Sequence, residues 1–270
     1  MDALHAKLEV LKNELRSFDS VAVAFSSGVD STFLLKIAHD VLGARAVAIT
    51  ARSCVFPARE LEEARAFCEK EGVEQLLFDP EPLSVPGFRQ NPPDRCYHCK
   101  RAILSKIRAL AAARGLAQVL EGSNLDDDGD YRPGRRAVLE LGVRSPLRDA
   151  GLTKGEIRAL SRELGLPTWD KPSFACLASR FVYGEPITEE ALRRVEQAEN
   201  LLLELGFRQF RVRVHGDLAR IELLPEELPR LMEAGCRTRV HGALRELGFR
   251  YVSADLLGYR TGSMNEALTG

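Results

Sequence analysis

Apolar residues recur at helical spacing from Leu4 to Leu15, which predicts an amphipathic opening helix. A short unbroken apolar run, SVAVAF (Ser20 to Phe25), follows with the make-up of a buried strand. Beyond it DSTFLLKIAHDVLG reads as a helix that stops at Gly43, and AVAIT (Ala46 to Thr50) as a second strand. PARELEEARAFCEKEG is helical, with Pro57 in its first turn and Gly72 after its last. VEQLLFD then reads as strand, CKRAILSKIRALAAARG as helix and AQVLEG as strand. Strands separated by helices of this length pair in parallel through crossovers that cover the sheet's faces, so the first half of the chain is expected to be an α/β domain.

The pattern breaks at SNLDDDGDYRPGRRA (Ser123 to Ala137), read as a loop at the carboxyl end of a strand, where open α/β sheets bind ligands. A helix from about Thr153 to Leu164 leads into a second irregular stretch, Pro167 to Pro186, taken as the boundary region. The expected division is residues 1–182 as the main domain and 183–270 as a smaller α/β companion. Within the companion, ELGFR occurs at Glu204–Arg208 and again at Glu246–Arg250, each time after a leucine-rich segment and before a β-type run, QFRVRV or YVSADL. Each glycine predicts a helix end in a left-handed residue. Two readings stay open: a repeated helix-to-strand joint with ferredoxin-like elements, or chance recurrence of a common helix stop.

With 270 residues, 45% of them hydrophobic, the chain can bury such cores. Its 38 basic and 39 acidic side chains are interspersed and leave a net charge of −1, which gives no electrostatic footprint for unspecific nucleic-acid or membrane binding. The opening has no signal-peptide core and no stretch reaches the roughly 18 to 20 apolar residues of a membrane span, so a cytoplasmic protein is expected. There Cys54, Cys68, Cys96, Cys99, Cys176 and Cys236 are expected as thiols rather than as a disulfide framework.

The stretch FSSGVDS (Phe25 to Ser31) follows the first strand, which Ala24 and Phe25 close. A glycine-bearing turn at this place aims backbone N–H groups and a helix N-terminus at an anion. Ser26, Ser27 and Ser31 add hydroxyls, Gly28 allows close approach, and Asp30 beside a phosphate implies a bridging cation, Mg²⁺. No Gly-Lys-Ser/Thr follows, so this is not a Walker A loop. The plain alternative is an ordinary strand–helix turn with serine capping. Ser53, past the second strand, and Gly122, at the end of a later one, are further candidates for contact with ATP. Asn124, Asp126 and Asp127 are candidates for Mg²⁺ or ribose, or for simple turn capping.

Cys96 and Cys99 form a C-x-x-C that opens a helix, where thiol pKa values fall and two thiolates can share a metal. His98 between them is a weaker ligand candidate, because adjacent positions on a helix diverge. Zinc and a redox pair are both open on this motif alone. If Cys176 in SFACLASR joins them, three cysteines leave one coordination position free, as in an iron–sulfur cluster with an exchangeable iron. Cys68 fits a packing role in its helix, and Trp169, the one tryptophan, fits packing at the boundary.

The turn resembles the PP-loop of the ATP pyrophosphatase superfamily, Ser-Gly-Gly-x-Asp-Ser, with Ser27 replacing the first glycine. Together with RCYHCK, GSNLDD, YRPGRRA, SPL, LGLPTWDKPSFACLASR and RVRVHGDLARIEL, in that order from about residue 10 to about residue 265, it makes the chain resemble the LarE family. These are ATP-dependent sulfur transferases that build the nickel-pincer nucleotide of lactate racemase. The resemblance implies an adenine nucleotide alpha hydrolase-like fold, and an ATP and Mg²⁺ site that takes in Ala24, Ser26, Ser27, Gly28, Asp30, Ser31, Ser53, Gly122, Asn124 and Asp127. It implies that a carboxylate of pyridinium-3,5-biscarboxylic acid mononucleotide is adenylated and that sulfur then displaces AMP. Ser179, Arg180, Arg211 and Arg213 are implied for the substrate and its phosphate; Glu199 and Glu222 are candidates to position a phosphate-bound cation, or are plain surface carboxylates. Arg211 and Arg213, two apart on a strand, share a face as a phosphate clamp needs.

Two sulfur chemistries occur in the family. Either the cysteine matching Cys176 surrenders its own sulfur, or those matching Cys96, Cys99 and Cys176 hold a [4Fe-4S] cluster that carries an extra sulfide. The cluster is the expectation here, because sacrifice of Cys176 leaves Cys96 and Cys99 without a task. A homo-oligomer with a small-molecule substrate and no nucleic-acid or membrane partner is implied as well. The alternatives are a PP-loop tRNA thiolase, for which no basic surface shows; an amidotransferase-type synthetase, which leaves the cysteines unexplained; and a nucleotide-binding module with a structural zinc.

Overall fold

The computed structural model describes residues 2–129 and 133–268, which divide into two compact units. The first comprises 1–53, 58–82 and 94–171, and the second 54–57, 83–93 and 172–270; the boundary expected from composition stood at 182/183.

In the first unit, α1 (Ala3–Arg16) starts at Asp2, whose carboxylate caps the His5 N–H. It is followed by β1 (Val21–Ala24), α2 (Val29–Leu42), β2 (Ala46–Ala51), α3 (Ala58–Glu71), β3 (Gln75–Phe78), α4 (Arg95–Ala113) and β4 (Gln118–Leu120). The short helices α5 (Gly134–Glu140) and α6 (Pro146–Asp149) precede α7 (Lys154–Glu163). All strands pair in parallel in the order β3-β2-β1-β4, and Arg144 adds a parallel bridge beside Leu120. The expected α/β domain with crossover helices is thus present. Because side chains alternate along a strand, Val21 and Val23 enter one apolar layer with Leu11, Leu15, Phe33, Leu34 and Leu160. Ala22 enters the other, with Ile49, Leu104, Ile107 and Val138.

In the second unit, α8 (Glu189–Glu204), capped by Thr188, leads to the antiparallel pair β5 (Phe210–His215) and β6 (Leu218–Leu223). α9 (Leu228–Met232) and α10 (Ala234–Glu246) then lead to β7 (Tyr251–Ala254), which pairs in parallel with β6. Both ELGFR glycines have the left-handed backbone expected of them, Gly206 at φ 81° and Gly248 at φ 91°. Phe207 and Phe249, the residues after them, are buried. Residues 83–93 join this unit through Asn91, itself buried, whose side-chain amide donates to the carbonyls of Phe181 (3.2 Å) and Val182 (2.7 Å).

Two elements depart from the sequence reading. β6 was not separated from its neighbours, because LARIEL shows itself as a strand only when paired with β5 across Gly216. α5 starts at Gly134, inside the segment read as a loop; the Arg-, Pro- and Gly-rich composition masks its helical period. Among the described residues no helix is long and apolar enough to cross a membrane.

Candidate active site

In the first unit the turn from Ser26 to Ser31 joins the carboxyl end of β1 to α2, with Gly28 at the N-cap and no side-chain hydrogen bond capping that end. The N–H groups of the first helical turn therefore keep no side-chain cap, as an anion site requires. The Ser26 and Ser31 hydroxyls lie 3.1 Å apart across the turn, and Ser31 Oγ donates to the Gly28 carbonyl at 3.3 Å. Gly122, just after β4, packs against this corner. A Cβ there would stand 3.1 Å from Ser31 N and 3.3 Å from its Cα, a tight contact that would press on the start of α2.

Ser27, at the signature's glycine position, has φ 53°, a left-handed conformation that costs an L-residue roughly 1–2 kcal/mol. It is buried, and its hydroxyl donates to the Glu60 carbonyl at 2.9 Å. Lys171 Nζ donates to the Ser27 carbonyl at 3.0 Å and pairs with the Glu63 carboxylate. Of the three serines expected to offer hydroxyls to phosphate, Ser27 is thus committed to the fold.

Asp30 accepts an ion pair from Lys154 at Oδ2, while its Oδ1 is buried without a hydrogen-bond partner. Ser53 Oγ, past the end of β2, is likewise buried and unpartnered. Such groups are costly unless something completes them, which marks both as open valences at the carboxyl edge of the sheet. Ala24, half-buried, is the last residue of β1. Asn124 and Asp127 are engaged with the chain itself. Asn124 N donates to Asp127 Oδ2 at 3.0 Å, and Asn124 Oδ1 accepts from Asp126 N at 2.9 Å.

Glu121, at the end of β4, was missed by sequence reasoning. It is buried and accepts from Ser145 Oγ (2.5 Å), Lys100 Nζ (2.9 Å) and Ser123 Oγ (2.9 Å). Burial pushes its pKa up, but the Lys100 charge and these donors outweigh it and hold the carboxyl below its usual value. Lys100 lies one turn beyond Cys96 on α4, so the C-x-x-C helix is anchored to the sheet's carboxyl edge. Cys96 and Cys99 fall in the first turn of α4, both half-buried, with Arg95 Nη2 at 3.6 Å from Cys96 Sγ. His98 pairs with Asp94 at 3.2 Å. Burial pushes the Cys68 thiol up to about 12, which fits the packing role expected of it. Trp169 lies under the Arg162 guanidinium, 5.0 Å from the ring centre.

In the second unit Cys176 is half-buried and caps a single 3-10 turn, Leu177–Arg180. Ala175 before it is held at φ 44°, again left-handed for a non-glycine residue. Arg180, fully buried, grips this segment. Its Nη1 reaches the carbonyls of Phe174 (2.7 Å) and Cys176 (3.0 Å) and the Ser179 hydroxyl (3.0 Å). Its Nε and Nη2 bind both oxygens of the buried Glu199, at 2.8 and 2.7 Å. Burial raises the Glu199 pKa, but Arg180 foremost overrides this and holds it low. Arg211 and Arg213 do share a face of β5. Arg213 binds Glu222 (2.9 Å), Ser263 (3.0 Å) and the Ser179 carbonyl (2.9 Å), and its Nε is buried without a partner. Burial, then the neighbouring Arg180 charge, push Arg211 down to about 10. Three buried guanidinium groups, Arg180, Arg211 and Arg213, face two buried carboxylates, Glu199 and Glu222, so the set carries an excess positive charge.

Among the described residues no group of three or more His, Cys, Asp or Glu side chains is gathered for a metal ion. Cys96 and Cys99 belong to the first unit and Cys176 to the second. Lys154 and Lys171 are the other residues missed. A lysine in the first turn of a helix, against the dipole, was the available signal for Lys154.

No protein-family model matches the chain. It is 44% identical over 266 residues to an uncharacterized protein of Synechocystis, covering 98% of this chain and 99% of the relative. It is 40% identical over 270 residues to the pyridinium-3,5-bisthiocarboxylic acid mononucleotide synthase of Lactiplantibacillus plantarum, covering 100% of this chain and 97% of that enzyme. An uncharacterized protein of Methanocaldococcus jannaschii is 26% identical over 258 residues, 94% of this chain and 98% of the relative.

Proposed function

The chain belongs to the LarE family of pyridinium-3,5-bisthiocarboxylic acid mononucleotide synthases, and from that premise we propose that it transfers sulfur to pyridinium-3,5-biscarboxylic acid mononucleotide at the expense of ATP. The observation that carries the ATP step is the turn after β1: an uncapped helix start, two facing serine hydroxyls and a buried Asp30 oxygen with no partner, with the Ser53 hydroxyl after β2 buried and unpartnered as well. In this reading the helix N-terminus, Ser26 and Ser31 bind the phosphates, and Asp30 takes the nucleotide's Mg²⁺. A substrate carboxylate oxygen attacks the α-phosphorus, the bond to the β-phosphate breaks and pyrophosphate leaves. Sulfur then attacks the carbonyl carbon of the acyl-adenylate and AMP departs, leaving a thiocarboxylate.

The excess positive charge around Arg211 and Arg213 supports binding of an anionic mononucleotide in the second unit. Arg180 serves this chemistry indirectly, by fixing the segment that presents Cys176. For the sulfur source we propose Cys96, Cys99 and Cys176 as thiolate ligands of a [4Fe-4S] cluster; three soft ligands match that group and leave one iron open. Such a cluster would supply exchangeable sulfide.

The test is an anaerobic preparation in which iron and acid-labile sulfide are quantified and the intact polypeptide is weighed before and after incubation with ATP, Mg²⁺ and the dicarboxylate mononucleotide. Expected are pyrophosphate release that requires the mononucleotide, about four irons per chain that are lost in Cys96→Ala, Cys99→Ala or Cys176→Ala, and an unchanged mass. Absence of iron, with loss of H₂S from Cys176, overturns the cluster but keeps the transferase. No substrate-dependent pyrophosphate overturns the function.

A further inference from the structure

Lys154 opens α7 behind its Thr153 cap. A cation in a first helical turn opposes the dipole by about 0.3–1 kcal/mol, so helix stability alone would place a carboxylate there, as it does at Glu156 in the same turn. Two acidic groups hold the lysine. Its backbone N–H donates to Asp126 Oδ2 at 2.8 Å, which pins the start of α7 to the loop after β4. Its ammonium donates to Asp30 Oδ2, from a residue 124 positions away in sequence.

The pair is lopsided. Lys154 satisfies one oxygen of Asp30, while the other, Oδ1, is buried at the start of α2 with nothing to bond. The Lys154 side chain is 32% exposed and has room to move, whereas Asp30, at 21%, is the more enclosed partner. An ion pair kept only for stability gains little at this exposure and has no use for a carboxylate oxygen shut away from water. A carboxylate that exchanges one cation for another does.

We propose that Lys154 is a placeholder cation: it neutralises Asp30 while the turn is empty, yields that carboxylate to the Mg²⁺ of an incoming nucleotide, and then pairs with the polyphosphate. The role rests on the nucleotide reading of this turn. The exchange is purely electrostatic. Asp30 keeps a cation throughout, and the displaced ammonium adds its charge where the nucleotide is most negative.

The full chain is tested as wild type, Lys154→Met and Lys154→Arg by two binding measurements. Mn²⁺ binding to the nucleotide-free protein, followed by electron paramagnetic resonance, is expected to tighten about tenfold in Lys154→Met, because the competing ammonium is gone. Calorimetric binding at saturating Mg²⁺ is expected to weaken about tenfold for ATP in that variant and to stay within about twofold for AMP, with Lys154→Arg close to wild type in both. Unchanged or weaker Mn²⁺ binding overturns the placeholder role, as does an equal loss for ATP and AMP, which is what a merely structural tie predicts. Should Lys154→Met fail to fold, Lys154→Gln carries the same expectations. A wild-type protein that binds no ATP refutes the nucleotide reading itself, and shows this before any substitution is compared.

Discussion

Asp30 and Arg180, one in each polar centre, are treated in opposite ways. At the carboxyl edge of the first unit's sheet, Asp30 after β1 and Ser53 after β2 keep buried oxygens without partners, and Asp30 is countered by a lysine on a half-exposed stem. Around Cys176, Arg180 has its guanidinium engaged by two carboxylate oxygens, backbone carbonyls and a hydroxyl, at no exposure at all. Open valences suit a site completed by a ligand; saturated ones suit a scaffold that fixes a reactive segment. The left-handed residues are held alike: the Ser27 carbonyl accepts from Lys171 at 3.0 Å and the Ala175 carbonyl from Arg180 at 3.2 Å.

The comparison breaks most readily at Glu199. Glu199→Ala removes both oxygens from Arg180 and the acceptor for the Val212 N–H (3.0 Å), leaving a buried guanidinium without its carboxylate. The expected loss is about 3–5 kcal/mol of unfolding free energy, read by urea denaturation. A loss below about 1 kcal/mol would mean that the cluster is not the scaffold described.

A smaller effect sharpens the contrast through pH. Glu121 and Glu199 both have pKa values held below the ordinary 4.5. A carboxylate depressed in the folded state contributes stability above its unfolded pKa and loses it as pH falls through the folded one. Wild-type stability should therefore decline with acid below about pH 4.5. Glu121→Gln should flatten part of that decline and cost about 1–3 kcal/mol at neutral pH, since Lys100 and Ser145 lose an ionised partner. Urea titrations at several pH values check both; an acid limb identical to wild type counts against the ionised Glu121.

Features built from neighbouring residues were legible in the sequence. The β1 turn lies within seven consecutive residues, and Gly206 and Gly248 reveal helix ends by their own conformational freedom. Features that depend on closure of the chain were not. Lys171 reaches Ser27 across 144 positions and Lys154 reaches Asp30 across 124; the helix start marks Lys154 as unusual, but neither composition nor period names a partner at such distances. Segments 54–57 and 83–93 belong to the second unit for the same reason: Asn91 finds its partners at Phe181 and Val182. At the candidate site, residue types and strand ends were readable, but whether a side chain was spent on the fold, as at Ser27 and Arg180, was decided by packing.

The smallest expected effect tests that last distinction. Ser27→Gly restores the signature glycine, relieves roughly 1–2 kcal/mol of left-handed strain, and removes the hydroxyl bond to Glu60, worth about 1 kcal/mol. Glycine also adds freedom to the unfolded chain, about 0.4–1 kcal/mol against folding. These terms oppose one another, so unfolding free energy should stay within about 1 kcal/mol of wild type. Because the Ser27 hydroxyl points to the Glu60 carbonyl rather than into the turn, ATP affinity by calorimetry should change by less than about threefold. A tenfold loss would mean that Ser27 redirects its hydroxyl to the phosphates when nucleotide arrives, and that this turn, unlike the Cys176 segment, is held by a bond its ligand must first displace.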